Sequence, residues 1–231
     1  MTDGPAEVVL ANHMLAHEGV FDAFGHVSIR DPHDPGRFLI SRSLAPAQVT
    51  EADVQYLDLE RRILSGNKGA AYAEVAIHAE LYRARPEVRA ICHNHSPSVI
   101  PFGVSRVPLR PVYHMGSLIG ADIPVWDIRE AFGDTDMLVR TADQGASLAK
   151  TLGSRTVALM RGHGSVVVGD QLSEVVRTSY ALEHNARAQL LALALGEVIY
   201  LSEGEVAKAR ATLLEPLSSE RAWAWFKSRL D

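Results

Sequence analysis

Apolar positions along this chain change period repeatedly, and each change predicts an element. Residues 5–19 place Val8, Val9, Met14 and Leu15 near one helical face, with Gly19 as the stop. The stretch FGHVSIRDP then alternates with the period of a strand, ending in a turn marked by Asp31, Pro32, Asp34, Pro35 and Gly36. RFLIS is its return strand. Thr50 caps a short turn, VQYLDL is a further strand, and SGNKG is a mobile loop tip. The spacing predicts a helix over 72–85, where Glu74, Ile77, His78 and Leu81 share a face and Pro86 ends the run. VRAICHNH follows as a buried strand, and SPSVI opens another helix. Residues 101–135 are rich in Pro and Gly and predict irregular backbone, with short strands near Arg110 to Tyr113 and Pro124 to Trp126. A helix over about 142–152 precedes the strand TVALM, the turn RGHG and the strand SVVVG. Ser173 caps a long helix through residue 195. Two more helices close the chain, the last carrying Trp223, Trp225 and Phe226.

Strands and helices are interleaved, yet the strand pairs at 26–40 and 156–169 have connections short enough for antiparallel pairing. That predicts an α/β fold with helices on both faces of a mixed or antiparallel sheet. No repeat, low-complexity tract or linker interrupts it, so residues 1–231 are expected to form one domain.

Composition narrows the function classes. The 231 residues are 47% hydrophobic and 22% charged, with a formal charge of −5. No run of Lys or Arg offers the basic patch that nucleic acid requires. No apolar stretch reaches the roughly 18–20 residues of a membrane span. The longest, Leu190 to Leu195, lies in a helical segment with Glu183, Arg187 and Glu197 and is expected in the core or at a subunit interface. Cys92 is the single cysteine, so no internal disulfide forms. The opening MTDGPAEVVL lacks the basic-then-apolar order of a signal peptide, and a cytoplasmic location is expected.

The sharpest local chemistry is His93-Asn94-His95 at the end of an apolar strand. Residues i and i+2 of a strand point to the same side, so both imidazoles project together while Cys92 and Asn94 face away. That is half of a zinc-like site, or else a pair of polar residues bonded to loops. His163, within Arg161-Gly162-His163-Gly164, is either a turn residue or a group aimed into a site. With His93 and His95 it becomes a candidate third ligand, since catalytic zinc sites commonly use three protein ligands and leave a position open. Glu74 is the natural acid–base candidate beside such a cation; the alternative is a first-turn Glu stabilised by the helix dipole. His78, one turn later, is expected as a core or surface histidine.

Taken together, GHVSIRDP (25–32), AEVAIHAELYRARPEVRAICHNHSP (73–97), RGHGSVVVG (161–169) and the long helix after them resemble the class II aldolase/adducin family. The resemblance covers most of residues 7–200. It implies a single three-layer α/β/α domain around a mainly antiparallel sheet, and a homotetramer with active sites between subunits. It implies one divalent metal ion per subunit held by His93, His95 and His163, with Glu74 as the catalytic acid–base. The sugar-phosphate members hold phosphate with a Gly-Asn-hydrophobic-Ser loop, a Ser/Thr-Gly loop and a Ser-Ser pair before the Glu. Here those places read Gly25-His26-Val27-Ser28, Ser41-Arg42-Ser43-Leu44 and Tyr72-Ala73, so most of the cradle is missing. ISRSLAP, PVYHMGSLIG and PVWDIR instead resemble the branch of non-oxidative decarboxylases acting on hydroxylated aromatic dicarboxylates, benzene or pyridine.

That resemblance sets the functional expectation: a carboxy-lyase of aromatic catabolism, acting on a small aromatic carboxylate. An ortho-hydroxy aryl carboxylate offers two oxygens that chelate one cation. Glu74 is expected to deliver the proton, with His114 as second candidate. Arg42 and Ser43 are expected to hold the second carboxylate, because a guanidinium fork fits it. His26 and Tyr72 are expected to line the substrate pocket, or to brace the loop and the core. Three histidines accept manganese, zinc, iron or cobalt. The rival readings are a sugar-phosphate aldolase or epimerase and a non-catalytic adducin-like module.

Overall fold

The two predicted hairpins form, and one strand between them makes them a single sheet. In the computed structural model, which describes residues 4–230, the strands are β1 (His26–Arg30), β2 (Arg37–Ser41), β3 (Val54–Asp58), β4 (Ile63–Gly66), β5 (Ala90–Asn94), β6 (Val125–Trp126), β7 (Val157–Met160) and β8 (Gly164–Gly169). Their order across the sheet is β4-β3-β2-β1-β5-β8-β7-β6. Only β6 and β7 run parallel among the described residues; β5 pairs antiparallel with both β1 and β8. The helices are α1 (Pro5–His17), α2 (Val75–Ala84), α3 (Ile100–Gly103), α4 (Ile128–Phe132), α5 (Ala142–Leu152), α6 (Leu172–Leu195), α7 (Glu203–Leu213) and α8 (Pro216–Lys227).

Strand periodicity sorts the side chains into two cores. Val27, Ile29, Cys92, Val157 and Val167 join Val8 and Leu15 of α1, Val175 and Leu182 of α6, and Trp223 and Phe226 of α8. Phe38, Ile40, Ile91, Val166 and Val168 face the other way and meet Ile77 and Leu81 of α2 and Leu148 and Leu152 of α5. The result is a three-layer α/β/α fold around a mostly antiparallel sheet, as expected. No helix among the described residues is long and apolar enough to cross a membrane.

Several boundaries differ from expectation. Residues 72–74 are not helical; α2 begins at Val75, with Glu74 at its N-cap position. The expected mobile tip SGNKG is partly strand, since Ser65 and Gly66 belong to β4, and the rest is tied down. The Asn67 amide donates to Ala52 O (2.8 Å), its Oδ1 accepts from Gly69 N (2.7 Å), and Gln55 donates to Gly69 O (2.7 Å). No strand forms near Arg110; Asn185 of α6 satisfies that backbone instead, donating to Arg110 O (2.8 Å) and accepting from Val112 N (2.9 Å). A 3-10 turn at His114–Ile119 follows. The cap of α6 is Gln171, not Ser173, which is buried inside the helix. Leu191 and Leu195 are exposed rather than part of the core.

Candidate metal centre

The site grows from the middle of the sheet, where β5 ends. His93 is fully buried on the α2-facing side, and its Nδ1 contacts Ser165 O of β8 at 3.1 Å. A carbonyl only accepts, so Nδ1 carries the proton and Nε2 is left with a bare lone pair. Two residues on, His95 Nδ1 lies 3.2 Å from Asp22 Oδ2. The same logic leaves its Nε2 bare. These two nitrogens are 3.1 Å apart. Two facing lone pairs repel unless a cation lies between them, which is the first sign of what the site binds.

His163 arrives on the tight turn between β7 and β8, and glycine on each side makes that turn possible. Gly162 has φ +68°, a left-handed conformation that favours glycine. A Cβ on Gly164 would sit 2.1 Å from the carbonyl oxygen of Asn94, so no other residue lets β8 approach the end of β5 there. Hence the RGHG pattern brings the 163 ring to 4.9 Å from that of His93 and 5.1 Å from that of His95, centroid to centroid. His163 Nδ1 is buried with no hydrogen-bond partner.

Glu74 completes the cluster. Its side chain makes no capping bond to α2. Oε1 accepts from Val139 N (2.9 Å), and Oε2 lies 3.6 Å from His93 Nε2 and 3.5 Å from His163 Nε2. Burial pushes this carboxyl up, but the neighbouring His163 and His93 rings outweigh burial and hold it well below the usual carboxylate range. Burial, then the charge of His93, lowers His95, which favours the neutral, metal-binding imidazole. All four ligand atoms lie within 4.8 Å of one another. Donors about 2.1 Å from a tetrahedral ion stand roughly 3.4 Å apart, so the separations of 3.1, 3.5 and 3.6 Å suit a divalent cation with little movement.

Beside the cluster opens a cavity of about 470 Å³, lined among others by Phe24, His26, Ser43, Tyr72, Glu74, Met137 and His163. The predicted His26, Ser43 and Tyr72 therefore line the cavity beside the Glu74, His93, His95 and His163 cluster. The Tyr72 hydroxyl is fixed by donating to Leu44 O (2.7 Å) and accepting from Ser41 Oγ (2.9 Å), and its ring packs 4.5 Å from that of His26. Two predicted residues are not brought there. Arg42 pairs through Nε with Asp53 (2.7 Å), itself locked in a capping box with Thr50, and does not line the cavity. His114 lines a different cavity, with Arg177 of α6 and Trp225 of α8, because its 3-10 turn packs in the other helix layer.

Several participants escaped the sequence reading. Asp22 orients His95 while its Oδ1 accepts from Phe24 N (2.8 Å) and Gly25 N (3.2 Å). The short Asp-x-x-Gly spacing signals that turn, but nothing in the sequence links it to His95. Met137, a non-glycine residue at φ 65°, carries the wall of the cavity beside Glu74 from within the stretch read only as irregular or unassigned. His78, expected as a core or surface histidine, is fully buried and bonds to His26.

Residues 6–190 match the family described as Class II Aldolase and Adducin N-terminal domain. The chain is 34% identical over 206 residues to Decarboxylase tropJ of Talaromyces stipitatus, covering 83% of this chain and 77% of that protein. It is 29% identical over 205 residues to a 3,4-dihydroxyphthalate decarboxylase of Arthrobacter keyseri, covering 82% and 78%. An L-fuculose 1-phosphate aldolase from Glaciozyma antarctica superposes with a TM-score of 0.81 at 24% identity, over 98% of this chain and 87% of that one. Decarboxylases and aldolases are both carbon–carbon lyases, and the sequence relatives favour the carboxy-lyase side. The chain belongs to the class II aldolase and adducin family, as a lyase.

Proposed function

We propose that this protein is a metal-dependent, non-oxidative decarboxylase of a hydroxylated aromatic dicarboxylate. One observation carries the reading: His26, Tyr72 and Ala73, which stand where the sugar-phosphate enzymes keep phosphate-binding residues, line the cavity beside Glu74. A ring packs against Tyr72 and His26 where a phosphate would lose most of its donors. The decarboxylase relatives support the reaction class, and the 3,4-dihydroxyphthalate relative supports the substrate class.

His93, His95 and His163 would hold the ion. When bound, a divalent cation supplies Lewis acidity and a template for the chelating hydroxyl and carboxylate oxygens. The remaining work falls to the chain. Glu74 Oε2 starts ionised, takes the proton of the ring hydroxyl, and returns it to the ring carbon that bears the carboxylate. The carbon–carbon bond to that carboxylate then breaks, its electron pair restores the aromatic ring, and carbon dioxide leaves. The proton taken equals the proton returned, so no outside donor is consumed. The Val139 N–H holds Oε1 throughout, which leaves Oε2 as the moving oxygen.

The ion is manganese, zinc, iron or cobalt in this reading. The assembly is the family's homotetramer, with sites between subunits; exposed Leu191, Leu195 and Ile199 are apolar surface that a subunit interface would bury. The location is cytoplasmic, the pathway is aromatic catabolism, and residues 1–231 act as one domain. A screen of hydroxylated benzene and pyridine dicarboxylates with each metal, reading carbon dioxide release, tests the proposal; ketose phosphates split to triose phosphate would overturn it. His163→Ala should lose metal and turnover together. Glu74→Gln should retain metal and lose about 10²–10⁴ in kcat; wild-type rates would remove Glu74 as proton carrier.

A further inference from the structure

Behind the cavity a run of polar groups is buried with no water-facing role. His26 Nδ1 lies 2.7 Å from His78 Nε2. His78 Nδ1 lies 2.6 Å from Ser28 Oγ, and that oxygen is 2.8 Å from the Tyr82 hydroxyl. His26, His78, Ser28 and Tyr82 are each at most 1% exposed. The run begins at the cavity wall with His26 and ends inside, beneath the Arg30 guanidinium, which stacks 4.5 Å from the Tyr82 ring centroid.

Ser28 Oγ could accept from both His78 and Tyr82, but its own buried proton would then have no acceptor among the described residues, so the run has two satisfied polarities and the end group decides between them. If the protons point inward, Tyr82 must donate onward, and its only other acceptor among the described residues is Arg89 O at 3.5 Å. That distance is at the limit of a hydrogen bond, and Arg89 O already accepts from Arg30 N at 2.7 Å. If they point outward, all three short contacts are used and Tyr82 needs no further acceptor. Tyr82 donates to Ser28, Ser28 donates to His78 Nδ1, and His78 donates from Nε2 to His26 Nδ1. His26 then carries its own proton on Nε2, which no hydrogen bond engages among the described residues, on a ring that lines the cavity. Burial pushes the Tyr82 hydroxyl up, so it keeps the proton that it donates to Ser28.

We propose that His78, held by Ser28 and Tyr82, fixes His26 in the Nε2–H form and makes it a permanent hydrogen-bond donor to a carboxylate oxygen of the substrate. His78 is thus a positioning residue for His26. A nitrogen with a proton and no lone pair matches a carboxylate, which offers only lone pairs. It also relieves Arg42, occupied by Asp53, of the role expected of it. The assignment of the acceptor rests on the decarboxylase reading; the direction of the chain does not.

Nitrogen-15 NMR of the histidine-labelled full chain, metal-free and zinc-loaded, tests the direction without any substrate. His26→Asn and His78→Gln assign the two rings. Both should be neutral and protonated at Nε2; a proton on Nδ1 of either ring overturns the proposal. The kinetic arm uses whichever hydroxylated aromatic acid the wild type decarboxylates. His78→Leu should raise KM roughly tenfold, the loss of one hydrogen bond to a charged group, with a smaller change in kcat. His78→Gln places an amide donor toward His26 Nδ1 and an acceptor toward Ser28, and should restore KM to within about twofold of wild type. Equal defects in the two variants would make His78 merely structural and overturn its positioning role. Absence of any aromatic decarboxylation, with both rings still Nε2-protonated, would sink the reaction while leaving the chain's polarity intact.

Discussion

The two sides of β1 and β5 are made of neighbouring residues and have opposite characters. Toward α1 and α6 they present Val27, Ile29 and Cys92, an apolar surface in a core of apolar side chains. Toward α2 they present His26, Ser28, Arg30 and His93, every one buried, with Ile91 the apolar exception there as Asn94 is the polar exception on the other side. Burying so many polar groups costs free energy unless each is bonded. Here α2 answers them with polar groups of its own: His78 and the Tyr82 hydroxyl for Ser28, and the carbonyls of Tyr82 and Arg85 for Arg30. One face holds the sheet together by area removed from water. The other spends the same depth of burial on orienting a few atoms at the cavity. A site built on the second face inherits the rigidity of the first.

Substitution on either side should separate those jobs. Ile29→Ala removes a side chain that is 2% exposed and should cost about 2–5 kcal/mol of stability, read from urea unfolding, with metal content and KM unchanged at temperatures where the protein remains folded. Ser28→Ala, one residue earlier, should cost about 1–3 kcal/mol by leaving His78 Nδ1 without its donor, yet raise KM. If Ile29→Ala raised KM as much as Ser28→Ala does, the division of labour between the faces would be lost.

Acid should expose the polar face in a second way. Burial, and then the charge of His93, lowers His78 to about 3 from the ordinary 6.5. Between those values the unfolded chain binds a proton that the folded chain refuses. Stability from this group is therefore present above pH 6.5 and falls as pH drops toward 3. The slope approaches about 1.4 kcal/mol per pH unit for one proton. His78→Gln cannot titrate, so the wild type should lose stability faster than the variant over that window, in denaturant melts on metal-free protein. Parallel curves would mean that His78 is not the buried neutral imidazole described above.

Much of this was legible in the chain, for a physical reason. Periodicity reports which face of a strand or helix is apolar, so the hairpins, the long α6 and the projection of His93 with His95 follow from it. Glycine reports backbone that other residues cannot adopt, so RGHG marked a sharp turn at His163. What periodicity does not carry is partnership. Arg42 looked free because the capping box that claims Asp53 spans Thr50 to Asp53, and no local signal joins that box to β2. His114 looked near the site because its irregular segment has no period to say which layer it joins. Residues 72–74 looked helical because the α2 pattern extends smoothly backward. Releasing Glu74 from the helix frees its Oε1 for Val139 N, 65 positions away.

Asp22 is the strongest test of that last point, since it belongs to neither face and was invisible to pattern. Its carboxylate is half exposed, yet it is the hydrogen-bond partner of His95 Nδ1 in this structure. Burial raises this carboxyl, but the Phe24 N–H and His95 outweigh it and hold it below its ordinary value, so it is ionised at neutral pH. An ionised acceptor at Nδ1 keeps the proton there and leaves Nε2 bare for the cation. Asp22→Asn preserves the shape and the Phe24 and Gly25 contacts through its amide oxygen. It removes the charge, so the His95 ring loses basicity and its orientation is held less firmly. Metal affinity should fall about 10- to 100-fold, measured by competition with a chelator. Stability of the metal-free protein should change by less than about 0.5 kcal/mol, as for an exposed substitution. The order of the two effects matters more than their size. If Asp22→Asn destabilised the fold while leaving metal affinity intact, the loop before β1 would be bracing the sheet, and His95 would owe its direction to β5 alone.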